Sequence, residues 1–328
     1  MPRTAVIGNT SWGNTLAALL GDKGITVKLW TRNEAEAKEL NQGARSYSFT
    51  SHIGEALDRA DLVIFAVPSQ KMRQNVTQIK NYLTASMLLI SAAKGLEADT
   101  GERMSQVIAE EIALSVKQQI CVLSGPNLAK EIAQGLPAAS IIASQVIALA
   151  ERAQRLMNSP NFFLFTSDDV IGVELGGALK NVIALGAGMI DGLGLGDNAK
   201  AAFITLGWNE VVSFGVSLGA KASTFYGLAG LGDLIATCAS TLSRNHRVGY
   251  ELAKGRSLKE ISASMSQVAE GINTTMAVHQ LAERSKKRLP IANLIYSILF
   301  EDLPLSRART EFRELIERCY HSSTGVLG

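Results

Sequence analysis

Short runs of apolar and β-branched residues recur through the first half of the chain, at 4–7, 26–30, 61–67, 87–91, 120–124, 138–143 and 162–166. Amphipathic stretches of helical period fill the gaps, which is the order βαβ units impose. The pattern predicts an α/β chain whose N-terminal half is a Rossmann-like, doubly wound, mostly parallel sheet. After residue 166 the strand signals stop. Ser167-Asp168-Asp169 reads as a helix N-cap opening a long apolar segment, and only helical patterns follow. Two domains are expected, 1–166 and an all-helical C-terminal domain over 167–328, with no long linker between them.

Charge and cysteine content narrow the function. With 32 Lys and Arg against 30 Asp and Glu, the formal charge of +2 gives no global field for nucleic acid or an anionic membrane, so any phosphate site must be local. Cys121, Cys238 and Cys319 are far apart, odd in number and without metal-ligand spacing, which suits a reducing compartment and no metal. A strand pattern from residue 4 leaves no room for a signal segment, so a cytoplasmic location is expected. The most membrane-like stretch, 170–190, carries Glu174, Lys180, Asn181 and five glycines and reads as a buried helix rather than an inserted span. The oligomeric state is left open, a homodimer included.

The first strand runs into Gly8-Asn9-Thr10-Ser11-Trp12-Gly13, followed by a helical pattern at 14–23 and a second strand. A dinucleotide fingerprint needs this context: a tight turn sets the pyrophosphate against a helix N-terminus. Thr10 replaces the middle glycine, so the loop also fits a plain strand-turn-helix. As a cofactor loop it would use Gly8, Thr10, Ser11, Trp12 and Gly13, with Thr10 facing the pyrophosphate. Either the loop shifts outward there or the hydroxyl donates to a phosphate oxygen. The second strand ends Leu29-Trp30-Thr31-Arg32-Asn33, where an NAD enzyme offers a carboxylate to the ribose diol. No carboxylate comes before Glu34. Arg32 with Asn33 beside it suits a 2′-phosphate, so NADPH is the expected cofactor with NADH still open; otherwise Arg32 is a solvated loop cation. On this reading 1–166 is the dinucleotide-binding domain and 167–328 supplies substrate binding and catalysis.

Four further segments carry candidate chemistry. Lys94, in Ser91-Ala92-Ala93-Lys94-Gly95 past the end of a buried strand, can hold a phosphate or carbonyl oxygen or be a surface lysine. Ser124-Gly125-Pro126-Asn127-Leu128-Ala129-Lys130 lies at another strand end; Gly125 and the following amides can approach an anion or form a capped turn. Lys180 falls mid-helix in an apolar run with no partner one helical turn away, so it is expected to be unpaired, with its pKa lowered toward that of a proton donor at neutral pH. The alternative is a lysine reaching a helix-pair edge. In the fourth segment, Asp233 is a helix cap or a catalytic group, and Arg244 with Asn245 forms a phosphate fork or a solvated basic turn.

Together the motifs resemble the bacterial NAD(P)H-dependent glycerol-3-phosphate dehydrogenases over essentially the whole chain. The matches are G-N-T-S-W-G at 8–13, A-K-G-L-E at 93–97, S-G-P-N-L-A-K-E at 124–131, G-V-E-L-G-G-A-L-K-N-V-I-A-L-G-A-G at 172–188, G-L-A-G-L-G-D-L at 227–234, S-R-N at 243–245 and V-A-E-G at 268–271. The resemblance implies hydride transfer between NAD(P)H and dihydroxyacetone phosphate, giving sn-glycerol 3-phosphate for glycerophospholipid synthesis. It implies that Lys180 is the acid/base, with Asp233 and Lys94 beside it. Lys94, Gly125, Asp233, Ser243, Arg244 and Asn245 would surround the substrate, with Asn127, Asn181 and Thr237 nearby. Ser11, Trp12, Arg32, Lys94, Ala129, Arg244, Val268 and Glu270 would contact the cofactor.

Three positions depart from the family pattern: Thr10, Asn127 where Ser or Thr is frequent, and Leu206 where Arg is usual. Two rival readings remain at this stage. One is a hydroxyacid or hydroxyacyl dehydrogenase of the same two-domain plan, the other a nucleotide-sensing binding protein.

Overall fold

The computed structural model describes residues 1–240, 242–265, 267 and 269–321. Eight strands form one sheet: β1 (Arg3–Ile7), β2 (Thr26–Trp30), β3 (Ser48–Thr50), β4 (Leu62–Phe65), β5 (Leu88–Ser91), β6 (Ile120–Ser124), β7 (Ala138–Ala143) and β8 (Phe162–Ser167). Their order is β3-β2-β1-β4-β5-β6-β7-β8, parallel throughout except for the antiparallel pair β6–β7. The strand pattern therefore yields the expected doubly wound sheet, plus β3, which the sequence reading missed. At three residues, in a run of Ser, Tyr and Thr, β3 is too short to show alternation.

Alternate residues of the inner strands feed two separate apolar clusters. Val6, Leu29, Ile64, Ile90 and Leu123 face one helical layer. Ala5, Ile7, Val63, Phe65 and Leu89 face the other. Between β1 and β4 the winding reverses direction, which opens a crevice at the carboxyl ends of the strands.

Beyond β8 the chain is helical. Asp169 caps a 24-residue helix, Val170–Leu193, by accepting from the Gly172 N–H at 2.9 Å, and Gly194 ends it in the left-handed conformation at φ 66°. The helix is long and apolar enough to cross a bilayer. Instead it is enclosed by helices Asp197–Ser217, Asp233–Ala239, Arg244–Ala253, Glu270–Arg284 and Pro290–Phe300, and nearly every residue is buried. Close approach depends on small residues. A Cβ on Gly176 would stand 2.8 Å from the Ala229 carbonyl, and one on Gly188 2.0 Å from that of His246.

This helix is also tied to the sheet domain. The Glu174 carboxylate accepts from Arg103 at 2.6 Å and from the Ser105 N–H at 2.8 Å and hydroxyl at 2.5 Å, at the start of helix Met104–Glu111. A buried carboxylate with a cation and two further donors is compensated, so the clamp fixes the long helix against the strand ends.

Candidate active site

Lys180 sits in the middle of the long helix, 5% exposed. Its partners come from another helix: Asp233 Oδ1 at 2.6 Å and Thr237 Oγ1 at 2.5 Å. The expectation of an unpaired lysine is thus corrected. A partner 53 positions away in the chain leaves no trace in local helical spacing. Of the two readings of Asp233, the geometry favours the one beside Lys180: it is the first residue of Asp233–Ala239, behind a π-helical turn at Leu228–Gly232, and its carboxylate accepts from lysines rather than capping the helix. Its second oxygen accepts from Lys94 at 2.7 Å, and Lys94 also donates to the Gly125 carbonyl at 2.6 Å. Burial pushes the Lys94 ammonium down to about 8, with Asp233 opposing the shift and Lys180 adding to it. One carboxylate faces two ammonium groups, so the cluster carries a net positive charge in largely buried surroundings.

Gly125 reaches this cluster because it adopts φ +149°; a Cβ there would stand 2.8 Å from Ser140 Cα. Next along the loop, Asn127 accepts from the Ser140 hydroxyl at 2.5 Å. Asn127 Nδ2 and Ser124 Oγ are buried polar atoms with no protein partner among the described residues. Below Lys180, Asn181 Oδ1 accepts from Asn245 Nδ2 at 2.8 Å, and Asn245 Oδ1 accepts from the Gly271 N–H at 2.9 Å. Ser243 caps helix Arg244–Ala253 through the His246 N–H. Arg244 follows it at the cleft rim, within electrostatic range of Glu270. The Glu270 carboxylate accepts from the Ser69 N–H at 3.0 Å and from its hydroxyl, which joins the two domains a second time.

In the glycine loop, Gly8 turns at φ +119°, and a Cβ there would collide with the Ala66 carbonyl at 2.7 Å. Thr10 does not face outward. It is the N-cap of helix Ser11–Gly21: its hydroxyl accepts from the Gly13 N–H at 3.0 Å and donates to the Ala66 carbonyl at 2.8 Å. Its proton is therefore committed to the protein, which corrects the expectation of a hydroxyl offered to a phosphate. Asn33 is likewise a cap, accepting from Ala35 and Glu36 N–H groups, so its side-chain oxygen is turned into the helix and away from a ligand. Arg32 is exposed beside β2, donating to Asn75 at 3.3 Å and Gln74 at 3.5 Å. Ala129 packs by its carbonyl against the Thr15 hydroxyl at 3.3 Å. Val268 lies outside the described residues.

These residues fit a dinucleotide. Ser11 and Trp12 head a helix whose first N–H groups have no intrahelical acceptor, and the buried Trp12 indole N–H has no partner among the described residues. Glu174 and Gln267 have contacts that local sequence does not reveal. Glu174 is read from sequence only as one of the polar residues of the 170–190 stretch. Gln267, which donates to Ser11 Oγ at 2.7 Å, carried no motif signal at all.

A glycine-loop sheet domain and a helical domain meeting over a buried lysine pair define a two-domain, nicotinamide-nucleotide-dependent dehydrogenase. Comparison with known proteins carries this further. The models for the N-terminus and the C-terminus of NAD-dependent glycerol-3-phosphate dehydrogenase match residues 3–150 and 169–310. A protein of Dehalococcoides mccartyi named glycerol-3-phosphate dehydrogenase [NAD(P)+] is 50% identical over 92% of this chain and 88% of its own length. One of the same name from Geobacter metallireducens is 43% identical over 94% of this chain and 96% of its own. The crystal structure of glycerol-3-phosphate dehydrogenase from Coxiella burnetii, 33% identical, superposes with a TM-score of 0.89 over 96% of this chain and 99% of that one. The chain belongs to the NAD-dependent glycerol-3-phosphate dehydrogenase family.

Proposed function

We propose that the chain reduces dihydroxyacetone phosphate to sn-glycerol 3-phosphate, reversibly, in the cleft between its domains, with Lys180 as the proton donor. The observation that carries this is the Lys180–Asp233–Lys94 cluster, two ammonium groups 2.6 and 2.7 Å from one buried carboxylate. An ammonium has three donors. Lys180 uses two on Asp233 and Thr237, which leaves the third for the substrate carbonyl oxygen. Lys94 uses two on Asp233 and Gly125, which leaves its third for the same substrate.

NADPH or NADH, when bound, would supply the hydride that reduces C2 of the ketone. As the C=O bond gives way, Lys180 stabilises the developing alkoxide by its charge and then protonates it. Asp233 keeps both lysines oriented through the step. Arg244, with Asn245 fixed by Asn181 and Gly271, holds the substrate phosphate, so binding energy comes from a group remote from the reacting carbon. Ser11 and Trp12 would hold the cofactor pyrophosphate, and Arg32 would favour NADPH through its 2′-phosphate. The enzyme works in the cytoplasm, where its product feeds glycerophospholipid synthesis.

The test is loss of nicotinamide absorbance. Wild-type protein is expected to oxidise NADPH with dihydroxyacetone phosphate and to be nearly inert with unphosphorylated 2-oxoacids. Turnover of an unphosphorylated 2-oxoacid would favour a hydroxyacid dehydrogenase, and nucleotide binding without turnover a sensor.

A further inference from the structure

The second strand ends without a carboxylate in line, yet the fold brings one to that point. Glu36 lies in the first turn of helix Glu34–Leu40, and its side chain folds back toward the strand end. One carboxylate oxygen accepts from the Thr31 hydroxyl, just past β2, and the other from Asn9 Nδ2 at 2.8 Å. Asn9 is the second residue of the glycine loop, and its amide has one orientation. Its oxygen accepts from Asn14 Nδ2 at 2.7 Å, while the Asn14 oxygen accepts from the Tyr47 hydroxyl at 2.8 Å. Glu36 is therefore held where the end of the second strand meets the loop after the first. In a doubly wound sheet that place receives the adenine ribose.

We propose that Glu36 binds the adenine-ribose diol of NADH and, set against Arg32, fixes the balance between the two nicotinamide nucleotides. The assignment rests on the cofactor reading above. A carboxylate accepts about four hydrogen bonds. Thr31 and Asn9 take two of these, leaving two for the vicinal hydroxyls. Arg32 is drawn to the other flank, toward Gln74 and Asn75, with its guanidinium 6.0 Å from the Trp30 ring centroid. The strand end thus presents an anion on the glycine-loop side and a cation on the other. NADH gains from the first. The 2′-phosphate of NADPH gains from the second and is repelled by the first, so one chain accepts both nucleotides.

Equilibrium titration of NADH and of NADPH, followed by nucleotide fluorescence, tests this without turnover. In Glu36→Gln the side chain keeps its shape and loses its charge. The Kd for NADH should rise about tenfold, the scale of a charge-assisted hydrogen bond, while that for NADPH stays level or falls. Asn9→Ala keeps the carboxylate and releases it, and should weaken NADH by a smaller factor. Arg32→Ala should do the reverse, weakening NADPH and sparing NADH. An unchanged NADH Kd in Glu36→Gln, or equal weakening of both nucleotides, overturns the proposal. Wild-type protein that binds neither nucleotide would overturn the cofactor reading itself, and this assignment with it.

Discussion

Under the proposed mechanism, two lysines on one buried carboxylate would make the protonation state of Lys94 a control on activity. Burial holds its ammonium near 8, so it is charged below that pH and neutral above it. A neutral Lys94 keeps neither its ion pair to Asp233 nor its attraction for an anionic substrate. The sign follows: kcat/KM for dihydroxyacetone phosphate should be level below about 8 and fall as pH rises through it. Lys94→Arg stays charged at every accessible pH and should lose that limb, which a pH profile of both proteins would show. Arg244 belongs to the same scale. In the proposed site its removal would leave the substrate phosphate without its cation, so Arg244→Ala should raise KM by two orders of magnitude or more, taking about 3 kcal/mol for a desolvated charge pair. Steady-state kinetics measure this directly, and an unchanged KM would mean the phosphate lies elsewhere. Lys180 was legible before any fold was known, because a lysine in the apolar stretch at 170–190 is costly. Its partner was not, since the Lys180–Asp233 pairing exists only after two helices pack.

At the level of elements, strand runs and helix caps were readable wherever the local chemistry was strong. Asp169 was marked as part of a cap by its sequence, and it caps the long helix. Thr10 was not marked in this way: the helical pattern reads from 14, and only the structure shows the helix beginning at Ser11 with Thr10 as its cap. The structure shows why a threonine is tolerated: the hydroxyl closes the first turn and ties the loop to the end of β4 through Ala66. Thr10→Val keeps the volume and removes both bonds, and should cost about 1 kcal/mol of stability, the usual worth of an N-cap. It should also loosen the loop, raising the Kd for both nucleotides alike with the substrate KM unchanged. Thermal unfolding and nucleotide titration separate the two effects. A rise in substrate KM without a change in nucleotide affinity would contradict this placement of the loop. Glu36 was hidden for a related reason. The sequence convention looks for the carboxylate on the strand, and here it lies on the helix after it.

The whole molecule places its chemistry where two independently legible halves meet, and the meeting itself was not legible. Alternating strands and helices announced the sheet, and a long apolar segment announced the helical core. Nothing in either pattern says that Glu174 will be clamped by Arg103 and Ser105, or that Glu270 will reach Ser69. The first of these holds the long helix, whose Lys180 meets Asp233 beside Lys94 and Gly125, just past β5 and β6. The account stands on Lys180 acting in that place. Lys180→Met keeps length and apolar packing while removing the charge and the transferable proton, so fold and nucleotide affinity should persist. General acid catalysis alone is worth about 10² to 10⁴-fold. Single-turnover hydride transfer from NADPH to saturating dihydroxyacetone phosphate should therefore slow by at least about a hundredfold in folded Lys180→Met protein. Transfer at a near wild-type rate would contradict the account and move the proton source to Lys94.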